Sequence, residues 1–280
     1  WHPSRLVLAP VFGTFAPRGS EVSVERIDFG ELVLEDFAAA ARWHHRTETV
    51  PHEADFVVFK HLDGPDEVFV DLGANIGNSV VSYRLLNRTA PIISFEPGFW
   101  LEPALRYLHE HVPAMRYHLC GVGDRSERVS FFIPTLDRKP DFYLASMVPT
   151  RFVEPRLTHV LELMRAQPGQ RFALCEVEVQ VERLDTFGLA PSIIKVDVED
   201  WEPEALRGAA ETVRRHRPLV MVEGANRRPE IVAFFAEQDY RFSVRVGDRL
   251  MVADGPTDAS NGFYLAAERV SEYRDRAVLA

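Results

Sequence analysis

The chain has 280 residues, 46% hydrophobic and 26% charged, ordinary globular proportions that exclude a collagen, a low-complexity polymer or a disordered tail. Asp plus Glu number 42 against 32 Lys plus Arg, and the net charge of −10 argues against a general nucleic-acid or anionic-membrane binder, a local basic cleft aside. Two cysteines, Cys120 and Cys175, write no disulfide framework and fit a reducing, cytoplasmic setting.

No run approaches the roughly 18 apolar residues of a membrane span. The opening residues carry prolines at 3, 10 and 17 and no basic start, so they do not read as a signal peptide. A chain that begins on Trp1 is expected to be a fragment or a processed product. Alternation over residues 22–34 predicts a hairpin or short strands. Glu35 to Arg46 is Ala-rich and helical, and Ala54 to His61 reads as a second helix. Together residues 1–60 form an N-terminal extension packed on the core domain.

From residue 66 the pattern becomes strand, turn, helix, repeated. Strands are expected over Glu67 to Leu72, Ile92 to Glu96, Arg116 to Val122, Ser192 to Val198 and Leu219 to Glu223. Helices are expected up to about Leu86, over Glu102 to His111 and over Glu204 to Arg215. Apolar runs separated by amphipathic helices describe a doubly wound, mostly parallel α/β sheet. Tyr240–Val246, Arg249–Ala253 and Gly262–Ala267 add antiparallel edge strands. The core domain thus spans 61–270, with a lid-like or merely looping insertion at about 134–170, a helix over Leu157 to Ala166 inside it, and a tail at 271–280.

The chemistry concentrates in Asp71-Leu72-Gly73-Ala74-Asn75-Ile76-Gly77-Asn78, where a strand becomes a helix. Glycines there admit a ligand to the backbone, and the bare helix start offers N–H groups; the alternative is a plain tight turn. Glu96 ends the next strand, twenty-five residues after Asp71, near the spacing of an acid that accepts bonds from a ribose diol. Both NAD and S-adenosylmethionine carry that ribose. Asn75 and Ser79 stand where a dinucleotide loop would want glycines, and the positions four before Lys60, Lys139 and Lys195 hold no tyrosine, so a nicotinamide-dependent oxidoreductase is disfavoured. Asp71 suits the cationic methionyl end of the sulfonium cofactor. A non-catalytic scaffold that binds this cofactor is the reading from another class.

FVDLGANIG (69–77), SFEP (94–97), ERLDTF (182–187), IIKVDVEDWE (193–202) and PLVMVE (218–223), in that order, resemble the FkbM family of S-adenosylmethionine-dependent methyltransferases over about residues 56 to 267. The resemblance implies a class I, Rossmann-like fold and O-methylation of a small-molecule acceptor such as a sugar or polyketide hydroxyl, in secondary metabolism. It places Asp71, Gly73, Asn75 and Gly77 around the methionyl group and Glu96 at the ribose. It also sets Asp124 within reach of the adenine amino group, unless Asp124 is only a turn residue. The family usually has glycine after Asp-Val-Glu; here Asp200 and then Trp201 follow, so a reshaped turn is expected.

In an extended strand Asp197 and Glu199 point to one side, toward the crevice where sulfonium and acceptor meet. They are the candidate catalytic acids, with the base unassigned. In a competing view Asp197 only holds the cofactor, and Lys195 neutralises a buried acid. Glu223 and Asn226 lie beside that site as candidate acceptor contacts, and Trp201 is an acceptor wall or a buried anchor. Magnesium on Asp197, Glu199 and Glu223 is chemically admissible, but no spacing demands it and no metal is assigned. His44-His45 and His109/His111 do not share helix faces, which argues against zinc; a more distant histidine as base stays open.

Overall fold

The computed structural model describes residues 25–62, 64–87, 89–153, 155–225, 228–253 and 259–280. It divides into two compact units: one takes in the chain up to Leu34 with Ser130–Val177, the other Glu35–Val129 with Glu178–Ala280. These bounds cut the chain along other lines than the expected 1–60, 61–270 and 271–280.

The smaller unit has its own core of Phe132, Leu136, Phe152, Leu157, Val160, Leu161, Phe172 and Leu174. Of the hairpin or short strands expected over 22–34, the described residues hold one short strand, Glu25–Ile27, followed by a 3-10 turn, and 22–24 lie outside the described residues. Its partner is distant in sequence: Glu25, Arg26 and Ile27 pair in parallel with Ala173, Leu174 and Cys175. The stretch expected as an irregular insertion is largely ordered. Thr135–Leu136 turn back onto Lys139–Pro140 through Asp137 and Arg138, both with positive φ, a tight hairpin made without glycine. A helix follows at Arg156–Leu163.

The larger unit is built on an eight-stranded sheet. Across it run Arg249–Val252, Tyr240–Val246, Asn261–Ala266, Leu219–Glu223, Ile193–Val196, Phe69–Leu72, Ile92–Phe95 and Met115–His118. The last five in that order are mutually parallel, and Asn261–Ala266 runs antiparallel to both its neighbours. This is the mostly parallel sheet with an antiparallel edge that the hydrophobic runs predict, in the Rossmann-like form that the resemblance implies. The expected third strand is broken: Met115–His118 stays in this sheet, while Gly121–Val122 pairs with Val181–Glu182. The expected Glu204–Arg215 helix is two helices, Glu202–Gly208 and Ala210–His216.

Three successive strands, beginning with Phe69–Leu72, step outward in one direction. The chain then returns to lay Ile193–Val196 on the other side of Phe69–Leu72. The strand order reverses there, and a parallel α/β sheet opens its crevice at the carboxyl ends beside such a reversal. The segment before the first strand is fixed to this sheet by aromatic packing. Phe56 and Phe59, fully buried within Ala54–Leu62, meet Phe69, and Phe59 also meets Tyr83 and Phe263.

Gly208 is set by close approach. A Cβ on it would lie 1.9 Å from the carbonyl oxygen of Gly123. Alanine favours a helix over glycine by about 1 kcal/mol, but this contact reverses the sign. Gly208→Ala is expected to lower the unfolding free energy by about 1–3 kcal/mol, the usual cost of overpacking, in urea denaturation.

Candidate active site

Register assembles the centre of the site. Asp71 lies opposite Ser94 on one neighbouring strand and opposite Lys195 on the other. In-register residues of parallel strands face the same way, so an acid and an ammonium meet inside the sheet. Lys195 Nζ stands 3.5 Å from Asp71 Oδ1 and 3.0 Å from Asp197 Oδ2, its side chain 3% exposed and that of Asp71 fully buried. The ammonium is thus shared by two carboxylates, which raise its pKa against the cost of its burial. Burial pushes the Asp71 carboxyl up, with Lys195 opposing. For Asp197 burial works in the same direction, but Lys195 and a hydrogen bond from Glu223 carry it below its ordinary value.

Asp197 and Glu199 do not share an extended strand: the strand stops at Val196, and Glu199 and Asp200 have φ of +53° and +78°. They still converge. Ligand atoms of Asp197, Glu199 and Glu223 lie within 4.8 Å of one another, a spacing that would suit a cation. Burial, then Asp197 and Glu199, push the Glu223 carboxyl up.

Asp200 holds the left-handed backbone that glycine adopts most readily. It is held there from both sides. Glu202 Oε1 accepts from the amides of Val198 and Asp200, each at 3.2 Å, and Arg228 bonds the Asp200 carbonyl at 2.8 Å and pairs with its carboxylate. Trp201 packs against Gly123: its Nε1 would be 3.3 Å from a Cβ there. That contact fits the buried-anchor reading.

The glycine turn closes over Asp197. Gly73 has φ of +87°, and a Cβ on it would sit 1.8 Å from the Asp197 carbonyl oxygen. Gly77, also left-handed, caps the helix Asn78–Leu86. Between them Asn75 donates its amide to Glu96 Oε2 at 2.8 Å, and Gly98 donates to Glu96 Oε1 at 2.8 Å. Burial lifts Glu96 to about 7 in spite of these two bonds. Asp124 follows Gly123 with its side chain 39% exposed and the guanidinium of Arg125 at 3.9 Å. Its carbonyl accepts from Arg183, which also pairs with Asp185; Asp185 in turn caps the second helix through Thr212. The ERLDTF block is therefore bracing. Asn226 lies outside the described residues.

No local motif announced three further residues at this crevice. His52 and Glu53 come from the segment ahead of the first strand, and Asn261 opens the antiparallel strand. Glu53 Oε2 accepts from Asn261 Nδ2 at 3.0 Å, and Lys195 and Asp197 act on both His52 and Glu53. Burial, then Lys195, lowers His52 to about 4; burial raises Glu53. The available signal was the apolar spacing of Phe56 and Phe59, which shows that the segment packs but not where its polar residues point.

Residues 71–242 match the model of the methyltransferase FkbM domain. The chain belongs to the FkbM methyltransferase family. No curated protein matches it. Among solved structures, an FkbM methyltransferase from Methylobacillus flagellatus KT aligns at 17% identity and a TM-score of 0.44, covering 84% of this chain and 56% of that one. The chain thus spans little more than half the length of that relative. A methyltransferase from Geobacter sulfurreducens aligns at 10% identity and a TM-score of 0.39, over 83% of this chain and 88% of its own. The O-methyltransferase TomG from Streptomyces achromogenes, involved in tomaymycin synthesis and solved in complex with SAM, aligns at 14% identity and 0.35, over 84% and 90%. In this family member no helix among the described residues is long and apolar enough to cross a membrane.

Removing the shared ammonium should expose the cost of the buried acids. Lys195→Met is expected to destabilise the fold by about 3–5 kcal/mol, because it leaves Asp71 buried without its partner. Adding Asp71→Asn should recover part of that loss. Urea titrations of the two variants at neutral pH check both.

Proposed function

We propose that the chain is an S-adenosylmethionine-dependent O-methyltransferase acting on a hydroxyl of a natural-product or sugar acceptor. The observation that supports oxygen as the acceptor atom is the convergence of Asp197, Glu199 and Glu223, whose ligand atoms lie within 4.8 Å of one another. A hydroxyl must lose its proton as it is methylated, and such a crevice is furnished to receive and hold protons.

The residues fit the cofactor. Each Glu96 oxygen takes one backbone N–H and keeps a lone pair for a ribose hydroxyl. A Cβ on Gly98 would stand 2.9 Å from Glu96 Oε1, so glycine there keeps the approach open. Asp71, Gly73, Asn75 and Gly77 form the methionyl side, and the carboxylate of Asp124 is available to an adenine amino group. The charge balance favours a cation: two acids, Asp71 and Asp197, share one ammonium, with Glu199 beside them. When bound, the sulfonium supplies an electrophilic methyl carbon. Asp197 and Glu199 flank the reacting position and, with Glu223, orient the acceptor oxygen in line with that carbon.

The decisive experiment is mass spectrometry of sugars, macrolactones and other polyhydroxylated acceptors incubated with methyl-labelled S-adenosylmethionine. One added methyl group on an oxygen is the expected result; no gain on any acceptor, or transfer to nitrogen or carbon alone, refutes the proposal. Asp197→Asn combined with Glu199→Gln should abolish turnover while S-adenosylhomocysteine still binds.

A pH series tests Glu96 separately. A ribose diol donates to the ionised carboxylate, whose pKa in the ligand-free protein is about 7. S-adenosylhomocysteine affinity should therefore be constant above about pH 8 and fall roughly tenfold per unit below 7, one proton being taken up for each ligand released. Glu96→Gln should weaken binding and remove that dependence in titration calorimetry.

A further inference from the structure

Resting on that reading, we propose that His52 is the general base of the methyl transfer, taking the acceptor's hydroxyl proton on Nε2. It lies ahead of the family-matched segment, and its placement rests on geometry. Ser82 is buried on the helix Asn78–Leu86, and its Oγ stands 2.9 Å from the backbone N of His52 and 2.6 Å from Nδ1. A hydroxyl oxygen has two lone pairs. The backbone N–H of His52 fills one of them, and we assign Nδ1–H to the other, which leaves the ring's lone pair on Nε2. The ring also packs on Phe56, centroids 5.1 Å apart.

Nε2 faces Glu53 Oε1 at 3.9 Å, too far for a hydrogen bond to consume it but near enough to stabilise an imidazolium once formed. Burial, then Lys195, opposes the charged form in the free protein, and Asp197 favours it. The segment is anchored on both sides of the ring. Asn261 Nδ2 bonds Glu53 and Asp55 at 3.0 Å each, and Arg245 Nε bonds Asp55 at 2.6 Å. Such bracing holds a base in place before the acceptor arrives.

The neighbouring carboxyl groups are less suited. Asp197 is engaged by the Lys195 ammonium at 3.0 Å, and Glu223 stands against Asp197 and Glu199, their ligand atoms within 4.8 Å of one another. In the step itself the acceptor oxygen forms its bond to the methyl carbon as the sulfur–methyl bond breaks. The electron pair stays on sulfur, leaving S-adenosylhomocysteine, and the hydroxyl proton passes to Nε2 of His52, which later releases it to water.

The test compares wild type, His52→Gln and His52→Ala, using an acceptor that the wild-type chain methylates and S-adenosylhomocysteine as the binding probe. Loss of a general base is expected to lower kcat about 100-fold or more in both variants. The dissociation constant of S-adenosylhomocysteine should stay within about threefold, showing that the crevice remains folded, and added imidazole should restore turnover of His52→Ala at least about tenfold. A His52→Gln enzyme with wild-type kcat, or a His52→Ala enzyme that binds S-adenosylhomocysteine normally yet gains nothing from imidazole, overturns the assignment. The two readings fail differently: a wild-type chain that methylates no acceptor defeats the methyltransferase proposal and this one with it, whereas an active wild type with an equally active His52→Gln defeats only the role of His52.

Discussion

One ammonium between two carboxylates organises the crevice. Lys195 sits where water does not reach, and a lone buried charge there would be too costly to keep. Asp71 on the adjacent strand and Asp197 just beyond its own strand end repay that cost. The contact exists because three parallel strands keep register at Ser94, Asp71 and Lys195. The electrostatics of the crevice derive from it. Lys195 holds Asp197 below its ordinary pKa, and Asp197 with Glu199 pushes the neighbouring Glu223 carboxyl up. Four acids gathered around one ammonium favour a positively charged ligand.

Backbone approach completes what the charges begin. Gly73 lets the first turn lie against the Asp197 carbonyl, so the strand ends that carry Asp71 and Asp197 are locked together by main chain as well as by Lys195. On the far side of Asp197 the chain solves a similar problem without glycine. Asp200 accepts a left-handed φ because Glu202 takes its amide while Arg228 takes its carbonyl and its carboxylate. Arg228 follows the Leu219–Glu223 strand, so the turn that bears Glu199 and the loop beyond Glu223 are tied by a charge pair. The expected reshaping of this turn thus amounts to a change of support, from glycine's freedom to a clamp.

Elements that declare themselves locally were legible in the sequence. The Phe69–Leu72, Ile92–Phe95, Ile193–Val196 and Leu219–Glu223 strands are short apolar runs between turn signals, and Glu102–His111 begins with Pro103 and ends before Pro113. Asp71, Glu96 and Asp197 were legible for the same reason, being acids at strand ends. Long-range pairing was not. The alternation at 25–27 serves a strand near residue 174, and the hairpin at Asp137–Arg138 lacks the Asn-Gly or Asp-Gly that announces such turns. The break at Leu119–Cys120 sits in one apolar stretch whose halves pair with different strands. His52 belongs with these failures: among ten histidines nothing in its own neighbourhood marks it, since its nearest polar partner, Ser82, is thirty residues away.

The wall formed by His52 and Glu53 repeats the economy of the centre. Glu53 and Asp55 share one amide, that of Asn261, as Asp71 and Asp197 share one ammonium. An amide nitrogen has two hydrogens and can serve both acids, but it carries no charge to neutralise either. Asp55 has Arg245 in addition; against its burial Glu53 has the more distant Lys195 and the uncharged amide of Asn261, and its pKa rises. Glu53 is thus the less well compensated of the two, and it is the one that stands beside Nε2 of His52. An acid left short of positive charge next to a neutral imidazole favours whatever step makes that imidazole positive. The packing of Phe56 and Phe59, which fixes where the segment lies, therefore has an electrostatic consequence at the mouth of the crevice as well as a share in the core.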